Sequence, residues 1–167
     1  LSYNYADEFR GDIIADKSNN YYIGSVTQSA DFPALNALQG NMKGVYDGVV
    51  VKIDSGLSKI FWSTFWGGTN VDGIYSIDLD KQSNVYVSGG TLSTDFSTST
   101  GAHQTTSGGG TDGFISKFSN DGKKMLASTY IGTSRYDQTY FIEIDKKGQV
   151  FAMGQTEGHM PVSGSVY

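Results

Sequence analysis

Aspartates recur at corresponding places along the chain, and carboxylates are the first candidates for acid–base chemistry. An active site is needed once in a protein, whereas a turn is needed in every repeated unit. Aspartate also accepts main-chain N–H bonds in tight turns. We therefore predict turn roles, and no catalytic role, for the recurring pairs: Asp72/Asp137, Asp80/Asp145, Asp95/Asp31 and Asp112/Asp47.

Clusters of Asp, Asn and Gly raise the possibility of calcium binding. They occur as DKSNN from Asp16, DKQSN from Asp80, NDG from Asn120 and DKKG from Asp145. None has the alternating spacing of acidic residues that brings several oxygens around one ion. The chain also has no cysteine, which excludes thiolate metal sites. We predict no metal site and no cofactor.

Two histidines are the remaining candidates for a general base. His103 lies in GAHQ, which aligns with NALQ, so it takes the place of Leu38 and is expected to be partly buried. His159 lies in a segment without a repeated counterpart. Neither is near a recognisable Ser or Cys nucleophile motif, so we predict no catalytic histidine.

Aromatic residues cluster in IFWSTFW, which contains Phe61, Trp62, Phe65 and Trp66. They could form a sugar-binding surface, but strand spacing places them on alternating faces, and large aromatic side chains between sheets are typical core residues. We predict packing roles. The glycine run SGGGT at 107–111 lacks the Lys-Ser/Thr and the helix of a phosphate loop. It is interpreted as a flexible connection.

Composition indicates an all-β protein. The 167 residues include 22 glycines, 2 prolines and 13% aromatics, a mixture typical of short strands joined by turns. The net charge is −5 without a basic cluster, which argues against nucleic acid as a partner. No apolar stretch is long enough to span a bilayer, so membrane insertion is not expected.

A repeat of 64 to 65 residues organises the chain. Residues 13–32 match residues 77–96 at nine of twenty positions without a gap, including Ile13/Ile77 and Phe32/Phe96. A third copy begins at residue 140, and residues 46–54 match residues 111–119. Such a period indicates a repeat architecture in which a single unit cannot bury its faces alone.

Each repeated unit reads as four short strands joined by turns and one long connection. Alternation in YSIDLD predicts the first strand; NVYVSGG, DGFISKF and KMLASTYIG follow as the second, third and fourth. Val49, Val50 and Val51 are apolar on both faces of one strand, as expected for a sheet packed between copies of itself. Four antiparallel strands per unit, stacked in this way, predict the blades of a β-propeller.

The unit bounds predict one propeller domain that these residues do not complete. Unit 1 is residues 1–68, unit 2 is residues 69–132, and residues 133–167 are the first half of unit 3. Because propellers have about four to eight blades, we expect the remaining blades to lie in further chain.

The repeat resembles a bacterial β-propeller repeat family called SBBP. Unit 2 carries the resemblance through two runs of residues: Asp80, Asn84, Tyr86, Val87, Gly89, Thr91, Ser93, Asp95 and Phe96; then Asp112, Gly113, Phe114, Lys117, Phe118, Ser128, Thr129, Tyr130 and Gly132. Unit 3 departs from the pattern after Thr156, where EGHMP replaces LSTDFS.

The resemblance implies a large exported or cell-surface bacterial protein, in some cases one sorted by type 9 secretion, and it implies no shared catalytic activity. We therefore expect a non-catalytic module that binds a protein or a surface glycan, or that acts as a scaffold. The long connections 27–46, 91–111 and 156–167 would form its binding face. The alternative is a propeller-type glycan hydrolase or lyase with its site in a central channel.

Overall fold

The computed structural model describes residues 11–160, which form ten strands and no helix. No segment among them is therefore a helix that could cross a membrane. The predicted all-β class is confirmed. The strands are β1 (Asp12–Ala15), β2 (Tyr21–Thr27), β3 (Asp47–Ile53), β4 (Ile60–Trp66), β5 (Asp72–Leu79), β6 (Val85–Thr91), β7 (Asp112–Phe118), β8 (Met125–Ile131), β9 (Asp137–Ile144) and β10 (Val150–Thr156).

The strands form three antiparallel sheets in which each strand pairs with its neighbour in sequence. Sheet 1 has the order β1-β2-β3-β4, sheet 2 has β5-β6-β7-β8, and sheet 3 contains β9 and β10. The registers correspond: Gly24 pairs with Val50 in sheet 1, and Ser88 pairs with Ile115 in sheet 2. Two copies of one four-stranded sheet confirm the predicted strands.

The turn after the first strand has the same structure in all three sheets. An aspartate side chain accepts the main-chain N–H four residues later, at 3.0 Å for Asp16, 2.9 Å for Asp80 and 2.8 Å for Asp145. The residue before that N–H has a positive φ, as Asn19, Ser83 and Gly148 do. This local bonding is the reason why DKSNN, DKQSN and DKKGQ all form tight turns.

The long connections of sheets 1 and 2 return along the outer edge of the fourth strand, whereas residues 161–167 of the third connection lie outside the described residues. In sheet 1, Leu35 forms an isolated antiparallel bridge with Ser63 of β4. In sheet 2, the N–H of Ser99 donates to the carbonyl of Ser128 in β8 at 3.0 Å. A covered edge strand cannot pair with other chains, so part of each connection protects the sheet.

Sheets 1 and 2 stack face to face over an apolar core. Tyr22, Val50, Trp62 and Trp66 of sheet 1 are buried in one cluster with residues of sheet 2, and the sheet 2 members are Ile74, Ile77, Val85, Val87, Phe96, Phe114, Phe118 and Tyr130. The adjacent residues Val49 and Val50 are both buried, so both faces of β3 are covered, as its apolar run predicts.

The first strand of each following sheet makes the main contacts with the sheet before it. β5 contacts β1, β2 and β3, and β9 contacts β5, β6 and β7. Ile74 of β5 fits against Gly24 and Gly48, where a Cβ would lie 2.7 and 2.8 Å from its side chain. Small residues on sheet 1 thus admit the first strand of sheet 2.

The expected partial burial of His103 is wrong, because this side chain is exposed. Its counterpart Leu38 is half-buried beside Trp66 and Met125, where sheet 2 lies against sheet 1. Within residues 11–160, sheet 3 contributes only two strands, and neither gives His103 comparable cover. Burial at this position therefore depends on the neighbouring sheet and not on the residue itself.

Candidate binding groove between the first two sheets

A groove of about 720 Å³ lies where the outer end of sheet 1 meets a turn of sheet 2. We call it the lateral groove. Sheet 1 and its connection contribute aromatic, lysine and amide side chains, and the turn after β7 contributes the other wall. The lining residues are Asn20, Asn36, Lys52, Phe61, Trp62, Ser119, Asn120, Asp121, Lys123 and Lys124.

A β-bulge brings Phe61 into the lateral groove. The register of β3 with β4 shifts between Lys52 and Ile53, so that Lys52 pairs with Trp62 and Ile53 with Ile60. Phe61 is the extra residue, and a bulge of this kind turns a side chain away from strict alternation. The Lys52 ammonium lies 5.8 Å from the centre of the Phe61 ring, which is 36% exposed. The predicted alternation of these aromatic residues is wrong at Phe61 for this reason.

Trp62 forms the floor of the lateral groove and holds the turn after β7 in place. Its indole N–H donates to the main-chain carbonyl of Asn120 at 2.9 Å. Gly122 has a φ of 69°, and a Cβ there would overlap the indole ring. The predicted packing role is confirmed for Trp62, as it is for Phe65 and Trp66, because all three side chains are buried.

Lys52 joins the two walls of the groove. Its ammonium donates to Oδ1 of Asn120 at 2.7 Å and lies 4.8 Å from the centre of the Tyr22 ring. The Tyr22 hydroxyl donates to the same Asn120 oxygen at 3.0 Å. Burial lowers the pKa of Lys52, and the nearby charge of Asp16 partly offsets this.

Exposed lysines give the lateral groove a positive character in an acidic protein. Lys123 and Lys124 line it, and the ammonium of Lys59 lies 5.5 Å from the centre of the Phe61 ring. All three are exposed. The groove also holds one carboxylate, Asp121, which accepts the Ser119 hydroxyl at 2.5 Å. Four lysines line or border the groove, two of them at 5.8 and 5.5 Å from the Phe61 ring centre. They can attract an anion, while the ring offers an apolar face.

The two aromatic residues of the lateral groove are not repeated in sheet 2. Trp62 corresponds to Ala127 in sheet 2, and Phe61 corresponds to Leu126. The sequence predicted packing roles for all four aromatic residues of IFWSTFW. It gave no indication that Lys52 and Asn120 meet, since they lie in different units.

The predicted turn role is confirmed for the pairs Asp72/Asp137, Asp80/Asp145 and Asp112/Asp47. The pair Asp95/Asp31 differs, because Asp31 accepts the Ser29 hydroxyl and Asp95 accepts an N–H from a distant segment. Asp72 accepts the N–H of Gly68 at 2.7 Å, and Asp95 accepts that of Thr69 at 2.9 Å. Asp47, Asp112 and Asp137 accept the main-chain N–H groups of Lys43, Gly108 and Thr133 respectively. The hydroxyl of Ser107 and the N–H of Gly108 both donate to Asp112, so the start of the glycine run at 107–111 is held against this carboxylate.

A second groove, of about 990 Å³, runs along the first strands of the three sheets. Its acidic residues include Asp12 and Asp78, and both are used to join sheets. Asp12 accepts the N–H of Ile77 at 3.1 Å, and Asp78 accepts that of Ile144 at 2.6 Å. Within residues 11–160, no three Asp, Glu, His or Cys side chains are grouped as a metal site.

Comparison with known proteins identifies no relative: no protein-family model matches the chain, and no curated protein matches it. The lateral groove and the sheet architecture therefore carry the functional argument.

Proposed function

We propose that this chain is part of a non-catalytic β-propeller of the SBBP type, in a protein exported to the bacterial surface, and that its lateral groove binds an acidic glycan. The propeller is supported by the repeated four-stranded sheets and by the way each first strand packs against the preceding sheet. Further blades, the surface location and export by a type 9 route belong to this proposal through the resemblance of the repeat.

The observation that carries the glycan proposal is the exposed Phe61 ring among lysines and amides. An aromatic ring can stack on the apolar face of a sugar, and amides such as Asn36 can bond hydroxyl groups. Lysines can bind carboxylate or sulfate groups on the sugar. A nucleic acid fits less well, because the net charge of the chain is −5 and would repel a phosphate backbone outside the groove.

The experiment is a binding assay of the purified chain against immobilised oligosaccharides of equal length, either neutral or carrying uronate or sulfate groups. We expect retention of acidic oligosaccharides that weakens as salt concentration rises, because exposed charges are screened. Titration calorimetry of the best acidic oligosaccharide then measures Kd.

Phe61→Ala tests whether the Phe61 ring stacks on the sugar. Leu126→Ala is its matched control, at the corresponding, 45% exposed position of sheet 2. We expect Phe61→Ala to raise Kd by about tenfold, equivalent to about 1.4 kcal/mol, and Leu126→Ala to leave Kd unchanged. Equal binding of neutral and acidic oligosaccharides, or equal effects of the two variants, would contradict the proposal. Retention of a protein alone would favour the protein-binding alternative.

A further inference from the structure

The first strands of the three sheets differ in how well one isoleucine position is covered. Ile77 in β5 and Ile142 in β9 are each 3% exposed, because each packs toward the sheet that precedes it. Their counterpart in β1, Ile13, is 59% exposed. We call the side of a sheet that carries this isoleucine its back face. The back face of sheet 1 therefore lacks the cover that the back faces of sheets 2 and 3 have.

A cross-strand pair on the opposite side of each sheet, its front face, receives the isoleucine of the next sheet. The pairs are Asp12 with Gly24 in sheet 1, Ser76 with Ser88 in sheet 2, and Phe141 with Met153 in sheet 3. In the first contact, a Cβ at Gly24 would lie 3.6 Å from Cβ of Ile77, and Asp12 accepts the N–H of Ile77 at 3.1 Å. In the second contact, Oγ of Ser76 accepts the N–H of Ile142 at 3.3 Å.

The front face of sheet 3 carries large apolar side chains that are open to solvent. Phe141 is 55% exposed and Met153 is 62% exposed, whereas the counterparts Ser76 and Ser88 are buried. Phe151, two residues before Met153 on the same face of β10, is 58% exposed. A contiguous apolar patch of this kind indicates an interaction surface. The two ends of the stack thus expose the two halves of a contact that the chain makes twice internally.

The open back face of sheet 1 complements the open front face of sheet 3. It has the small residue Ala15 where the other back faces have Leu79 and Ile144, which leaves room for the larger residues of sheet 3. A polar contact can form as well. Asp78 on the front face of sheet 2 accepts the N–H of Ile144 at 2.6 Å. Glu143 is the counterpart of Asp78 in sheet 3 and offers a carboxylate for the N–H of Ala15.

We propose that two copies of this chain associate head to tail, with the front face of sheet 3 in each copy against the back face of sheet 1 in the other. The inference rests on the proposed propeller and takes its further blades from the second copy. Residues 11–160 of each copy supply three sheets, so two copies supply six. One copy or three copies would fall outside the range of about four to eight blades. Each copy contributes both halves of the contact, as a closed two-fold dimer requires.

The test is sedimentation velocity of the purified chain over a wide range of concentrations. We expect a monomer–dimer equilibrium that ends at the mass of two chains, because both contacts remove apolar side chains from water. Ile13→Asp and Phe141→Asp should each raise the dimer Kd by at least about a hundredfold, since both contacts would then bury an unpaired charge. Leu126→Asp in sheet 2, on neither open face, should leave the dimer Kd unchanged.

An equal mixture of the Ile13→Asp and Phe141→Asp chains tests the head-to-tail arrangement. In a mixed dimer, sheet 3 of the Ile13→Asp chain meets sheet 1 of the Phe141→Asp chain, so one of the two contacts is intact. We expect the mixture to associate more strongly than either variant alone. A dimer that persists in Ile13→Asp would mean that sheet 3 pairs with sheet 3, and it would overturn the proposal.

A chain that stays monomeric at every concentration, or that forms species larger than two copies, would also overturn the proposal. Circular dichroism checks that the variants are folded, which is expected because both substituted side chains are exposed in one copy. The Kd of Ile13→Asp for the acidic oligosaccharide is measured in parallel and should be unchanged, because the lateral groove lies between sheets 1 and 2. A monomer that binds the oligosaccharide would contradict the two-copy ring and leave the glycan site supported.

Discussion

Sheets 1 and 2 share one fold but differ at their outer ends, and Lys52 and Lys117 show how. Each lysine lies over a tyrosine of the adjacent strand, at 4.8 Å for Lys52 over Tyr22 and 4.7 Å for Lys117 over Tyr86. Lys117 then forms a 3.0 Å ion pair with Asp80 in its own sheet. Lys52 instead donates to Asn120 of the neighbouring sheet.

The comparison of the two sheets distinguishes residues that maintain the fold from residues that form the lateral groove. Strand pairing, the aspartate turns and the covered outer edges occur in both sheets, so they serve the fold. Sheet 1 has aromatic residues that sheet 2 lacks. Their counterparts in sheet 2 are Ala127 for Trp62, Ile131 for Trp66 and Leu126 for Phe61. The repeated positions are accounted for by packing and turns, so the binding proposal depends on the groove residues that depart from the repeat.

The largest loss of stability that would distinguish the two sheets is expected from substituting Trp66. Its ring packs edge-on against Phe96 at 5.5 Å and Phe118 at 4.9 Å, and its N–H donates to Ser116 at 3.0 Å. Trp66→Ala should lower the free energy of unfolding by about 3–5 kcal/mol, since it leaves a cavity and removes the buried hydrogen bond to Ser116. Urea unfolding measures the loss.

Ile131→Ala is the matched substitution in sheet 2, where the side chain is only half-buried. It should cost no more than about 2 kcal/mol, because less apolar surface is lost. Equal losses for the two variants would mean that Trp66 adds nothing to the stacking of sheets 1 and 2 beyond an ordinary strand residue.

A smaller effect is expected at the two corresponding turns that follow the third strands. Gly122→Ala forces an L-residue to a φ of 69° and pushes a methyl group into the Trp62 ring, which should cost about 1–3 kcal/mol. A Cβ at Gly56 would meet only the ends of Asp54 and Ser58, at 3.1 and 3.6 Å. Gly56→Ala should therefore change stability by less than about 0.5 kcal/mol.

Thermal and urea unfolding of both variants provide the measurement. Binding of the acidic oligosaccharide is a second readout, because a displaced turn moves Asn120 and opens the wall of the lateral groove. A Gly122→Ala chain with unchanged stability and unchanged affinity would show that the contact between this turn and Trp62 is not maintained in solution.

Local patterns predicted the strands and turns, because alternation and Asp-bonded turns depend on neighbouring residues. The apolar run at Val49 and Val50 also predicted burial on both faces. The position of Phe61 could not be predicted, because a bulge depends on the register of two strands. The exposure of His103 and the contact of Lys52 with Asn120 depend on how separate sheets stack, which no local sequence pattern encodes.

The smallest expected change in stability is that from substituting Asp80 and Asp16, which tests the different bonding of Lys117 and Lys52. Hydrogen bonds from Asn84 and the ion pair with Lys117 outweigh partial burial and hold the pKa of Asp80 below 3.8. Its interactions thus stabilise the fold above the pKa of the unfolded chain and are lost as pH falls through the lower, folded value. Asp80→Asn should cost roughly 1 kcal/mol or less at pH 7, given the partial exposure of Lys117.

Asp16→Asn in sheet 1 is the matched change, because Asp16 has the same turn but its lysine is bonded to Asn120 instead. It should cost less than Asp80→Asn at pH 7. Urea unfolding at pH 7 and at pH values below about 4 should show the difference between Asp80→Asn and the unsubstituted chain shrinking as the carboxylate is protonated. A larger loss for Asp16→Asn would mean that Lys52 pairs with its own sheet in solution, as Lys117 does, and that the wall of the lateral groove is not held by Asn120.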